Sequence, residues 1–259
     1  MNSYTYLQLR EVFHVEFLRW LGRRLKAEAY VLKGGANLRF FFKSFRYSED
    51  MDIDARGIGV VDLRATVMKI LATGAFRDNL KPFGIAAIAP PDIAKAKQTE
   101  TTQRFKIHLI LHSGEDLFTK IEFSRRGFAG NTLVEAIDNA VLRTYKLAPV
   151  LIPHYDVSAA VRQKIRALAG RAAVQARDIF DLYLLSSQYS AGGRPIQDSD
   201  AVYSKACERI FEVEFGKFRD TVVAYLSADD QAAYGQAQVW EEICLKTADF
   251  IEELRKSHA

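Results

Sequence analysis

The chain has 259 residues, enough for one or two domains and for a core that buries about three quarters of the unfolded surface. Apolar residues make up 49% and charged residues 26%, which excludes a disordered chain, a collagen and a coiled coil. The net charge of +4 is uneven: Asp198 onward holds 7 basic and 13 acidic residues, and the chain before it 29 and 19. A strongly basic part ahead of an acidic one predicts that phosphates meet the first three quarters.

Tyr4 to Lys26 predicts a helix, because Leu7, Val12, Phe13, Phe17, Leu18, Leu21 and Leu25 recur near the helical period. Tyr30–Leu32 is a short strand or turn. Gly34-Gly35 breaks the pattern, and Ala36 to Phe45 predicts a short helix. Met51 to Ala55 alternates apolar and acidic residues, a strand signal. Val61 to Thr73 predicts a helix and Phe83 to Ala89 a strand. Arg104 to His112 and Phe118 to Arg125 predict two strands joined by the turn residues Ser113 to Asp116.

After Gly127 strand signals largely end, apart from short extended pieces near Val150. Helices are predicted over 158–168, 177–188, 198–215, 217–226 and 229–256, with Asp156 and Asp229 as candidate caps. A mixed α/β part is therefore followed by a helical part. No apolar run approaches the ~20 residues of a membrane helix. Met1 to Arg10 lacks a signal-peptide pattern, and the distant Cys207 and Cys244 suggest no disulfide framework. A cytoplasmic chain with no membrane partner is expected.

Ser48-Glu49-Asp50-Met51-Asp52-Ile53-Asp54 is the most informative stretch. On a strand, Asp50, Asp52 and Asp54 share one face and Met51 and Ile53 the other. Such an acidic face also suits a solvated edge strand. The preceding segment favours a metal, since aligned carboxylates repel unless a divalent cation compensates them, and hard oxygen ligands suit Mg²⁺ with substrate phosphates. Lys33-Gly34-Gly35 ahead of a short basic helix (Arg39, Lys43, Arg46) places glycine N–H groups where a phosphate can approach. Lys120-Ile121-Glu122 alternates again, so a neighbouring strand would add Glu122 to Asp50 and Asp52.

The string KGGANLRFFFKSFRYSEDMDID resembles the motif of the AbiEii/AbiGii toxin family, nucleotidyltransferase-fold toxins to which the MenT toxins are related. Lys164 onward, through Arg171 and Arg177-Asp178-Ile179-Phe180-Asp181, resembles that family's second signature. The resemblance implies a nucleotidyltransferase core over residues 1–140, with a mixed sheet and metal site. Residues 141–259 would form a helical domain completing the nucleotide cleft.

It implies Asp50 and Asp52 as catalytic metal carboxylates with Glu122 as a third, and Ser48 at the nucleotide phosphates beside Lys33, Gly34 and Gly35. It also implies Lys164 as a phosphate lysine and Asp181 as the acid of the second motif, with Arg46 and Arg177 as further phosphate contacts. On a helix Asp178 and Asp181 face together, so Asp181 can hold Lys164 or Arg177.

The implied reaction moves a nucleoside monophosphate from an NTP, with Mg²⁺, to an acceptor. The 3′ end of tRNA is the acceptor the resemblance suggests, with translation blocked, and a cognate antitoxin is the implied protein partner. A small-molecule acceptor of the aminoglycoside type, a protein acceptor, or a non-catalytic binding module are the alternatives. Three positions depart from the family pattern: Ala36 stands for an expected Thr, Gln163 for a Glu, and Glu122 for an Asp. Among His14, His108, His112, His154 and His258, only His108 and His112 share a spacing, and they lack partners for a zinc site.

Overall fold

The computed structural model describes residues 4–257, so His258 lies outside the described residues. The chain divides into two compact units. One comprises the residues up to Phe41 together with Tyr47–His154; the other comprises Phe42–Arg46 together with Tyr155 onward.

The first unit opens with helix α1 (Tyr6–Gly22). Thr5 accepts from the Gln8 backbone N–H, and the Gln8 side chain accepts from the Thr5 N–H at 2.9 Å. This capping box satisfies two groups that a helix start leaves open. Then follow β1 (Tyr30–Lys33), α2 (Gly34–Phe41), β2 (Asp50–Ala55), α3 (Val60–Ala72), α4 (Gly74–Leu80), β3 (Ile85–Ala89), β4 (Thr102–Leu111), β5 (Asp116–Ser124), β6 (Thr132–Ala136), α5 (Asn139–Thr144) and β7 (Leu151–Tyr155).

The strands form one seven-stranded mixed sheet in the order β3-β4-β5-β2-β1-β7-β6. β1 is antiparallel to β2 and parallel to β7, and β2 is parallel to β5. The expected α/β class therefore holds. Met51, Ile53, Phe105, Ile107, Ile121 and Phe123 are fully buried, in one core cluster with Val12, Phe13 and Phe17 of α1, Leu63 and Val67 of α3, and Phe76 of α4. The period-2 alternation of β2, β4 and β5 separates this apolar face from a polar one.

The second unit is helical: α6 (Val157–Gly170), α7 (Ala176–Gly192), α8 (Asp200–Ile210), α9 (Phe215–Thr221), α10 (Ala228–Tyr234) and α11 (Ala237–Lys256). Helices α6, α7, α8 and α11 pack pairwise, and Trp240 stacks on Phe218 with ring centroids 4.2 Å apart. The segment 42–46 joins this unit through Phe45, whose ring lies 5.7 Å from Phe180 and 5.2 Å from Tyr234.

Several elements differ from expectation. α2 starts at Gly34 itself, so the glycines form its first turn. The helix expected over 229–256 is two helices, α10 and α11, separated by Gly235 and Gln236. Ser227, not Asp229, caps α10 by accepting from the Asp230 N–H, while Asp156 caps α6 through the Ala159 N–H at 2.8 Å. β6 and β7 extend the sheet beyond Gly127.

The charged and imidazole groups that α1 buries, Glu11, His14 and Glu16, are partnered, whereas the buried Trp20 indole N–H has no partner among the described residues. Glu11 accepts from Arg39 Nε and from Tyr145 Oη, each at 2.6 Å. Thr119 donates its hydroxyl proton to the Glu49 carbonyl at 2.7 Å, so its oxygen accepts from His14 Nε2 at 2.8 Å. His14 is therefore neutral with its proton on Nε2. Burial, aided by the charge of Arg10, pushes its pKa down to about 3. An unfolded histidine titrates near ~6.5, so below that pH the unfolded chain binds a proton that the folded one refuses. Stability should accordingly fall as pH drops from about 6.5 toward 3. Denaturation midpoints measured across this range should fall less steeply for His14→Gln than for the unsubstituted chain; equal slopes would contradict the assignment.

Candidate functional site

The polar face of the first unit's sheet gathers the acidic motif. β2 and β5 run parallel in the register Asp50↔Lys120, Asp52↔Glu122 and Asp54↔Ser124. The third carboxylate expected from the alternation thus stands directly beside Asp52. Across the next strand pair, Glu122 opposes Arg104, and on the other side Lys33 opposes Asp52.

Each carboxylate but one is held by a cation. Lys120 Nζ lies 2.8 Å from Asp50 Oδ2, Lys33 Nζ 2.5 Å from Asp54 Oδ1, and Arg104 Nη2 2.6 Å from Glu122 Oε2. Among the described residues, Asp52 alone of these four has no ion-pair partner. Burial raises its proton affinity; Lys33 and Lys120 oppose this, while Glu122 and Asp50 add to it. An anion in that position is held at an electrostatic cost that a further cation would relieve.

The backbone leaves room there. Gly34 has φ +68°, and a Cβ on it would stand 2.9 Å from Asp52 Oδ2 and 3.4 Å from Asp52 Cβ. Only glycine lets the start of α2 approach this carboxylate so closely. Ser48 donates its hydroxyl to the Asp50 carbonyl at 2.8 Å, which fixes the entry of β2.

These residues fit a divalent cation in a particular way. Among the described residues, no three of His, Cys, Asp and Glu are arranged to hold a metal by themselves. Asp50 and Asp52, two residues apart on one strand face, are the pair that fits. Mg²⁺ is commonly held by one or two carboxylates and completed by substrate phosphates and water. Glu122, bound to Arg104, stands next to that pair.

The second unit holds a separate charged cluster. Asp181, fully buried, accepts from Arg46 Nη2 at 3.1 and 3.0 Å on its two oxygens, and from Arg46 Nε at 3.2 Å. Lys164 Nζ sits 2.6 Å from Asp181 Oδ2 and 2.9 Å from Asp178 Oδ1. Arg171 Nε lies 2.8 Å from Asp178 Oδ2. Burial disfavours every charge here, but for Asp181 the Arg46 and Lys164 cations outweigh it and hold the carboxyl below its ordinary pKa. For Lys164 the two aspartates likewise outweigh burial and raise the ammonium. Three cations face two carboxylates, and an ammonium carries three donors, of which these pairs engage two.

Asp50, Asp52, Glu122, Lys33 and Gly34 are therefore brought together in the first unit, and Arg46, Lys164 and Asp181 in the second. Arg177 is exposed and forms no ion pair among the described residues. Arg46 takes the place beside Asp181 that was open to Arg177. Lys120 and Arg104 were missed as cation partners: the alternation puts Lys120 on the face of Glu122, but which carboxylate each cation meets is visible only in the strand register. Arg171 was quoted within the second signature without a role, and it pairs with Asp178.

A family model described as nucleotidyl transferase AbiEii toxin, of type IV toxin–antitoxin systems, matches residues 16–246. Among solved structures, a candidate nucleotidyltransferase from Helicobacter pylori is similar over 96% of this chain and 94% of its own, with 19% identity and a TM-score of 0.58. JHP933 from Helicobacter pylori matches at 18% identity over 99% and 94%, with a TM-score of 0.57. MenT4, a nucleotidyltransferase toxin from Mycobacterium tuberculosis, matches at 18% identity over 97% and 86%, also with a TM-score of 0.57. At these identities the likeness is one of fold. No curated protein matches.

The two clusters should respond differently to substitution. Asp181→Ala strands Arg46 and Lys164 in the interior and should destabilise the protein by about 3–5 kcal/mol. Asp50→Ala, which removes a half-exposed ion pair, should change stability by about 1 kcal/mol or less. Gly34→Ala should cost about 1–2 kcal/mol from its left-handed backbone alone. Denaturant titrations of the three variants check this order; an Asp181→Ala variant as stable as Asp50→Ala would contradict it.

Proposed function

The chain belongs to the AbiEii nucleotidyl transferase toxin family of type IV toxin–antitoxin systems, and from that premise we propose that it transfers a nucleoside monophosphate from an NTP to the 3′ end of tRNA. The family implies an antitoxin partner. Blocked aminoacylation, and hence arrested translation, would be the toxic outcome. The observation that carries the reading is the pair Asp50 and Asp52 on one strand face, with Gly34 against Asp52 and Glu122 in register beside it.

In this reading the acceptor's terminal hydroxyl oxygen bonds to the α-phosphorus of the NTP. The bond from that phosphorus to the bridging oxygen of the β-phosphate breaks, and pyrophosphate leaves. The hydroxyl proton passes to a carboxylate oxygen of the acidic face. Asp50 and Asp52 would hold Mg²⁺, and Glu122 is the third carboxylate of the site. The cation, when bound, neutralises charge on the phosphates and lowers the pKa of the attacking hydroxyl. Gly34 and Gly35 admit the triphosphate to the first turn of α2, Lys33 draws it by charge, and Ser48 positions the entry of β2.

Lys164 acts as a phosphate lysine, held by Asp178 and Asp181, and the excess of cations over carboxylates in that cluster supports the role. Arg46 fixes Asp181 and, through it, Lys164. The basic balance ahead of Asp198 supports a polyanionic acceptor. A cationic small-molecule acceptor is the second reading, favoured by the surplus of acidic groups on the β2 face.

Incubation with Mg²⁺, each α-³²P-labelled NTP in turn and total tRNA tests the reading directly. Label should appear on RNA with the unsubstituted chain and not with Asp50→Ala or Asp52→Ala. Label on the protein itself would point to protein nucleotidylation instead. Absence of label with folded protein would overturn RNA transfer, and screening of cationic small acceptors would follow.

A further inference from the structure

Three cations line the acidic face, and they are not equivalent. Lys33 holds Asp54, whose side chain is only 6% exposed. Arg104 holds Glu122 through two nitrogens. Lys120 alone is bound to one of the two metal-fitting carboxylates, and its pair with Asp50 is open, with side chains 30% and 40% exposed. An exposed ion pair between a flexible ammonium and a carboxylate is weak. The same contact occupies Oδ2, one of the two oxygens through which Asp50 could hold a divalent cation. Lys120 and such a cation therefore compete for one carboxylate.

We propose that Lys120 is a displaceable counter-cation that becomes a phosphate-binding residue. It neutralises Asp50 in the empty enzyme and would leave it when Asp50 takes a divalent cation. Its ammonium then donates to an oxygen of the triphosphate. The stem anchors on β5 in register with Asp50, and four rotatable bonds let the head group swing without moving the strand. No covalent step is involved. The device keeps the acidic face from accumulating unbalanced negative charge, and it supplies a positive group only once metal and phosphate arrive together. This rests on the reading that Asp50 and Asp52 hold the divalent cation.

The proposal requires two effects of opposite sign from one substitution. Mn²⁺ binding to the full chain, followed by paramagnetic resonance, should tighten about fivefold in Lys120→Gln, because the competing ammonium is gone. Binding of inorganic triphosphate in the presence of Mg²⁺, followed by calorimetry, should weaken about tenfold or more in the same variant, because a charge-assisted phosphate contact is gone. Lys120→Arg should restore most of the triphosphate affinity. A merely structural role would not tighten metal binding.

Asp50→Ala separates the two ideas. If it leaves Mn²⁺ binding unchanged, the metal reading fails and the proposal fails with it. If it abolishes Mn²⁺ binding while Lys120→Gln leaves the metal affinity unchanged or weaker, the metal reading stands and the role of Lys120 is overturned. Weaker triphosphate binding without tighter Mn²⁺ binding likewise overturns the displacement.

Discussion

Acidic side chains two residues apart on one strand, with a hydrophobic layer on the strand's other face, set the terms for the first unit. Met51 and Ile53 are buried completely, so β2 cannot slip by one residue without driving Asp50, Asp52 and Asp54 into the core. The core fixes the carboxylates, and the carboxylates in turn require the cations that β1, β4 and β5 supply. Lys33, Lys120 and Arg104 come from three different strands, and each meets its partner because the register is fixed. Asp52 remains unpaired among the described residues. It lies where the backbone, through Gly34, makes space rather than charge.

The second unit handles charge in the opposite way. Arg46, Lys164, Asp178 and Asp181 are almost wholly buried, in a low-dielectric setting where an unpaired group is costly. Such a cluster defines its geometry tightly, and it holds Lys164 and Arg46 in fixed orientation. The acidic face of the first unit is more open, with the Lys120 and Asp50 side chains 30% and 40% exposed. The second unit's cluster is buried and carries one more cation than carboxylates, whereas the first unit's face carries one more carboxylate than cations.

Strong alternation made part of this legible from residues alone. β2, β4 and β5 show it because each has one apolar and one polar face, and the placement of Glu122 beside Asp52 followed from the same logic. β6 is exposed at every residue and β7 is buried from Ile152 to Tyr155, so neither carries a period-2 signal. The sequence accordingly predicts only short extended pieces near Val150, and nothing marks β6. Gly235 lies inside a stretch of helical periodicity, which hid the break between α10 and α11. The pairing of Arg46 with Asp181 spans 135 residues, and no local spacing announces it. The motif strings singled out both residues, but which arginine holds Asp181 is visible only in the folded unit.

On the proposed reading, Asp50 and Asp52 together form the metal-binding heart of a nucleotidyltransferase. The most direct test of that reading is a crystal of the protein soaked with Mn²⁺ and inorganic triphosphate, with the metal located by anomalous scattering. An anomalous peak is expected within bonding distance of carboxylate oxygens of both Asp50 and Asp52, with triphosphate oxygens completing the coordination. A metal bound elsewhere, with Asp50 and Asp52 free of it, would contradict the account.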